Sequence, residues 1–146
     1  MEFPINDLMD EAKSEAWLLA HFHPHGLKCP RCGRGVEDAA KFRQTKKSQL
    51  TVYRCRLCGQ IYNLYSGTVF QQRHLKPEQA VLLLRGILKG EAATTLAAEL
   101  GLNYITVLEL RRELQDNARR LQPDSPLEDN RTETDEMFQN AGEKRR

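Results

Sequence analysis

The sequence of 146 residues predicts a small α+β protein assembled from several modules. Three observations carry this expectation. Two Cys-x-x-Cys-Gly knuckles, "CPRCG" and "CRLCG", enclose a strand-forming stretch. Downstream, apolar residues recur at helical spacing and are punctuated by Gly90 and Gly101. Beyond Gln122 the chain turns polar and acidic, beginning "PDSPLEDNRT". The predicted order is an N-terminal helix in residues 1–25 and a ribbon of antiparallel strands in residues 26–76. A trihelical helix-turn-helix follows in residues 77–122, then a linker and a mostly disordered tail in residues 123–146.

The leading helix runs from about Ile5 to Phe22. It is no secretion signal, because Met1 leads into acidic residues rather than a basic and then an apolar run. No stretch approaches the roughly 18 apolar residues of a membrane span. A cytoplasmic protein is expected, with no membrane partner. In that compartment disulfides are rare, and clustered cysteines more often bind metal.

All four cysteines fall in the knuckles: Cys29 with Cys32, and Cys55 with Cys58. Two such pairs supply four thiolates at the corners of a tetrahedron, which Zn²⁺ accepts at about 2.3 Å. Gly33 and Gly59 suit a tight knuckle, since glycine takes positive φ without steric cost. The 22 residues between the pairs slightly exceed the usual spacing and imply a long hairpin. The alternatives are a redox dithiol and two disulfides. A centre closed by four protein ligands leaves no open position, so this zinc is expected to be structural. His21, His23 and His25 precede the first knuckle and are expected on the surface or in a loop. Within the ribbon, "QLTVYRC" has strand character, with Leu50, Val52 and Arg54 on one side and Thr51 and Tyr53 on the other. "QIYNLYSGTVF" offers a further strand, interrupted at Ser66-Gly67.

The net charge is only +2, but it is segregated. Residues 1–25 carry −4, residues 26–76 carry +9, residues 77–122 balance, and residues 123–146 carry −3. A basic block of this size suggests a polyanion, most simply double-stranded DNA, although a solvated surface gives the same pattern. The loop "KFRQTKKSQ" contributes Lys41, Arg43, Lys46 and Lys47, and Arg54 and Arg56 flank the third cysteine. These six are candidate phosphate contacts, which give position rather than sequence.

Pro77 opens a helix and Gly90 closes it, with Leu83, Leu84, Ile87 and Leu88 at helical spacing. A short Ala-rich helix then runs to Leu100. Gly101 makes the turn, and Asn103 caps a longer helix. Val107, Leu110, Leu114, Ala118 and Leu121 form its predicted buried stripe. A short helix, a Gly turn and a longer helix make the helix-turn-helix pattern, in which the start of the second helix enters the major groove. Asn103, Tyr104, Thr106 and Arg112 are the candidate DNA contacts, with Ile105 and Glu109 beside them. Glu109 is expected to repel phosphate. An ordinary three-helix bundle is the competing reading.

"GLKCPRCG", then "YRCRLCGQIYNLYSGTVF", then the trihelical segment resemble bacterial insertion-sequence transposases with an N-terminal zinc ribbon and a DDE-type catalytic domain. The ending "ETDEMFQNAGEK" adds to the resemblance, which covers nearly the whole chain. It implies that Asp135, beside Glu136, is the first of three acidic ligands of an RNase H-like domain. Such domains use two divalent ions, Mg²⁺ or Mn²⁺, for in-line phosphoryl displacement. The remaining acids would need on the order of 100 further residues. The resemblance therefore implies an N-terminal, DNA-binding part of a transposase, cut short and inactive in cleavage or joining by itself. It leaves room for a homo-oligomer in the complete transposase. Two other functions compete: a stand-alone zinc-ribbon and helix-turn-helix transcription regulator, and a ribbon used for protein contacts.

Overall fold

The structure is a computed structural model that describes residues 1–122. The expectations for residues 123–146, including the linker, the disordered tail and the metal-ligand role of Asp135, lie outside the described residues. Among the described residues the chain is a small α+β protein with five α-helices and a three-stranded antiparallel sheet. None of these helices is long and apolar enough to cross a membrane.

The leading helix is divided. α1 covers Ile5–Leu8 and α2 covers Glu11–Phe22. Asp10 makes the break: its carboxylate accepts from the Lys13 amide at 3.0 Å and starts a new helix. This pair does not stand alone as a module. Leu8, Trp17 and Leu18 are buried in a core shared with α3, Pro77–Leu88, and α2 packs against α3.

The sheet consists of β1, Ala39–Gln44, β2, Thr51–Cys55, and β3, Ile61–Tyr62, in that order. β1 corrects the expected loop: Lys41 pairs with Tyr53 and Arg43 with Val52, with a register slip between them. The strand is legible only from its partner. Its residues from Ala40 to Gln44 are all exposed, so no apolar alternation marks it. The further strand expected in "QIYNLYSGTVF" shrinks to two residues. From Asn63 the chain turns, with Asn63 Oδ1 accepting from the Tyr65 amide at 3.0 Å. Leu64, Tyr65, Phe70 and Leu75 then pack with the helices, not with the sheet. Leu50, at the base of the β1–β2 hairpin, is buried in that same core. On β2, Val52 is buried, whereas Arg54 is exposed and lies over the Phe42 ring.

α4, Ala93–Leu100, and α5, Tyr104–Leu121, complete the core through Leu96, Ala97, Val107 and Leu110. Gly101 takes φ +63°, the left-handed conformation that ends α4 sharply. Asn103 caps α5 as expected, its Oδ1 accepting from the Ile105 amide at 2.8 Å. Gln79 ties the start of α3 to the end of α4, donating to the Leu100 carbonyl at 2.9 Å. The predicted stripe on α5 is buried only in its first half. Leu114 is half-buried, and Ala118 and Leu121 are exposed, because among the described residues α5 extends past the helices it packs on.

α3 and α4 approach closely at Gly86. A Cβ there would lie 2.2 Å from Cδ2 of the buried Leu96. Replacing Gly86 with Ala improves helix propensity by about 1 kcal/mol but forces overpacking that costs about 1–3 kcal/mol. The clash is severe and Leu96 has little room to yield, so a net destabilisation of about 1–2 kcal/mol is expected. Thermal melts of the metal-loaded protein check it, and a rise in Tm would contradict the close approach.

Candidate metal centre and candidate nucleic-acid interface

The two knuckles fold alike. In each, the Gly amide donates to the carbonyl of the first Cys: Gly33 to Cys29 at 2.9 Å and Gly59 to Cys55 at 3.0 Å. In each, the first Cys amide donates back to the residue after the Gly: Cys29 to Arg34 at 2.7 Å and Cys55 to Gln60 at 2.9 Å. Gly33 and Gly59 hold φ of +74° and +72°, as their positions in the knuckle predict. This closure aims four sulfurs at one point. Cys29 Sγ lies 3.5 Å from Cys58 Sγ, Cys32 Sγ lies 3.5 Å from Cys55 Sγ, and all four sulfurs lie within 4.8 Å of one another. A tetrahedron with metal–sulfur bonds of about 2.3 Å has edges of about 3.8 Å, so the quartet fits a metal of that size. The near pairs run across the knuckles rather than within them, unlike a dithiol or disulfide closed inside one Cys-x-x-Cys.

The protonation pattern points the same way. Amide N–H groups of Cys58 and Leu57 aim at Cys55 and, against its burial, bring that thiol down to about 6. Cys29 is also lowered: burial opposes ionisation, but the amides of Cys32 and Arg31 and the thiols of Cys58 and Cys32 outweigh it. At Cys32 the Arg34 amide favours the thiolate, yet burial and the thiols of Cys55, Cys29 and Cys58 push it up to about 12. Four sulfurs this close share protons unless a cation replaces them. Tyr62 is buried against the cluster, and its hydroxyl has no partner among the described residues. Its pKa is raised, first by burial and then by the charge on Cys29, Cys55 and Cys32. The histidines before the first knuckle lie outside the cluster. His21 stacks on Trp17 with ring centroids 3.8 Å apart, and His23 Nε2 donates to the Leu64 carbonyl at 2.7 Å.

The basic residues divide between two places. Lys41 and Arg43 lie on β1, Arg54 lies on β2, and Arg56 follows the third cysteine with its amide donating to the Asp38 carbonyl at 3.0 Å. Lys46 and Lys47 occupy the turn between the strands and are exposed. That turn reaches the helical half of the molecule. Lys47, Arg73, His74, Asn103 and Thr106 line one groove of about 400 Å³. A neighbouring groove of about 370 Å³ runs from His74 past Lys47 and Lys46 to Arg43. Residues from the ribbon hairpin, from the segment before α3 and from the first turn of α5 thus share one concave face. Lys41, Arg54, Arg56, Tyr104 and Arg112 do not line these two grooves. Tyr104 is 44% exposed and Arg112 is exposed on α5.

Arg73 and His74 are absent from the sequence-based candidates, although "QQRHLK" is visibly basic. Arg73 also changes the reading of Glu109. Its guanidinium holds Glu109 at 2.9 Å and Glu113 at 3.2 Å, so one cation is shared between two carboxylates and the repulsion expected from Glu109 is only partly offset. Gln72, beside Arg73 in the groove, takes φ +62°, a left-handed conformation uncommon outside glycine.

The chain matches no family model, no curated protein and no solved structure.

Proposed function

We propose that this chain binds double-stranded DNA as the N-terminal region of an insertion-sequence transposase, with Zn²⁺ held by Cys29, Cys32, Cys55 and Cys58. One observation carries the DNA reading: the groove in which the Lys46–Lys47 turn meets the start of α5. In this reading α4, the Gly101 turn and α5 act as a helix-turn-helix. Asn103 and Thr106 face bases while Lys46 and Lys47 follow phosphates. The metal supplies only cohesion, since four thiolates close its coordination shell. The transposase assignment is supported by the resemblance of "GLKCPRCG", "YRCRLCGQIYNLYSGTVF" and "ETDEMFQNAGEK" to that family. Transposon-end DNA is accordingly the proposed target.

The test is anisotropy of a labelled duplex titrated with metal-loaded protein across a salt series. Affinity is expected to fall linearly in log–log form. Replacing Lys46 and Lys47 together by Ala should reduce that slope by roughly 1–2, as loss of one or two phosphate contacts does. Thr106→Ala should leave the slope alone and alter preference among duplex sequences. Salt-independent binding, or an unchanged slope in the double variant, sinks the reading.

A further inference from the structure

We propose that Phe42, framed by Arg43 and Arg54, is a stacking site for an unpaired nucleobase. This rests on the nucleic-acid reading above and extends it from duplex to single-stranded or frayed DNA. Phe42 sits in the middle of β1 and remains 45% exposed. The register slip between Lys41 and Arg43 removes it from regular pairing, and the residue that meets its ring from the neighbouring strand is the cation Arg54. The Arg54 guanidinium lies 4.3 Å from the ring centroid and that of Arg43 lies 5.9 Å away. Lys41, Phe42, Arg43, Gln44 and Thr51 line a shallow groove of about 300 Å³.

Charge selects the ligand. β1 reads AAKFRQ and β2 reads TVYRC, so neither strand carries an acid. A polyanion is therefore favoured, and an aromatic ring at its centre favours one that offers π-faces. A base with its phosphate supplies both. In a duplex those faces are already stacked, so only an unpaired base can use the ring. An acidic peptide would satisfy the cations and leave the ring without a stacking partner.

The experiment compares metal-loaded full chain on three labelled probes: a blunt duplex, the same duplex with a single-stranded overhang, and that overhang made abasic. Phe42→Ala is expected to weaken overhang binding by about five- to a hundredfold and leave blunt-duplex affinity unchanged. Phe42→Trp is expected to retain the overhang affinity, which separates lost stacking from a damaged sheet. Equal wild-type affinity for abasic and base-bearing overhangs overturns the proposal. So does an equal loss on blunt and overhang probes, or no loss on either. Failure of wild-type protein to bind the blunt duplex counts against the duplex reading alone, because the overhang comparison still reports on Phe42.

Discussion

Replacing Cys55 with Ser is expected to abolish metal retention and unfold the ribbon, residues 27–62, while the helical core persists. Cys55 is buried and anchors both the second knuckle and the end of β2. The core around it is small: its buried members are Leu27, Cys29, Cys55 and Tyr62, and half of these belong to the candidate metal centre. So little apolar burial cannot offset the entropy of ordering a three-stranded sheet. Structural zinc supplies about 10–16 kcal/mol near neutral pH in comparable small sites, which is as large as the whole stability of a typical domain. The helices keep their own packing through Leu18, Leu83, Leu84, Leu96 and Val107. They lose Leu50, so their Tm should fall rather than vanish. Metal analysis with amide exchange tests this, and a folded, protected sheet in the metal-free variant would contradict it.

Phe70→Ala is expected to cost about 3–5 kcal/mol, a large fraction of the roughly 5–15 kcal/mol that holds a typical domain together. Phe70 is 1% exposed and joins elements distant in sequence. Its ring meets Phe22 of α2 edge-on at 5.7 Å and Tyr65 at 5.6 Å. Tyr65 in turn donates to the Leu75 carbonyl at 2.8 Å, fixing the segment that leads into α3. Truncation leaves a cavity between α2 and the segment that leads into α3. Leu121→Ala, at a position 84% exposed, provides the contrast and should change stability by no more than about 0.5 kcal/mol. Urea denaturation of the metal-loaded variants separates the two outcomes.

What the sequence made legible was local chemistry. The knuckles follow from cysteine spacing and from two glycines that alone suit positive φ. The α4–α5 joint follows from Gly101 and from an Asn103 whose side chain caps its own helix. What it hid was long-range pairing. β1 is polar and exposed, so nothing in AAKFRQ marks a strand until Tyr53 and Val52 lie beside it. Leu50 reads as an ordinary strand residue, yet it is buried with the helices. Arg73 meets Glu109 and Glu113 across 36 and 40 positions of sequence, so no local pattern announces the pair. The stripe on α5 obeyed helical periodicity, but periodicity reports which side is apolar, not how far a neighbour extends.

β1 lies at one side of the sheet, and among the described residues its outward backbone groups have no fourth strand. An uncapped strand of this kind is a template for pairing between molecules. Lys41, Arg43 and the register slip oppose that pairing, by mutual repulsion and by breaking the regular repeat. Substitutions that strip these cations to probe ligand binding therefore also lift a safeguard on solubility. Variants at Lys41 and Arg43 should be checked for self-association before any lost affinity is credited to a lost phosphate contact.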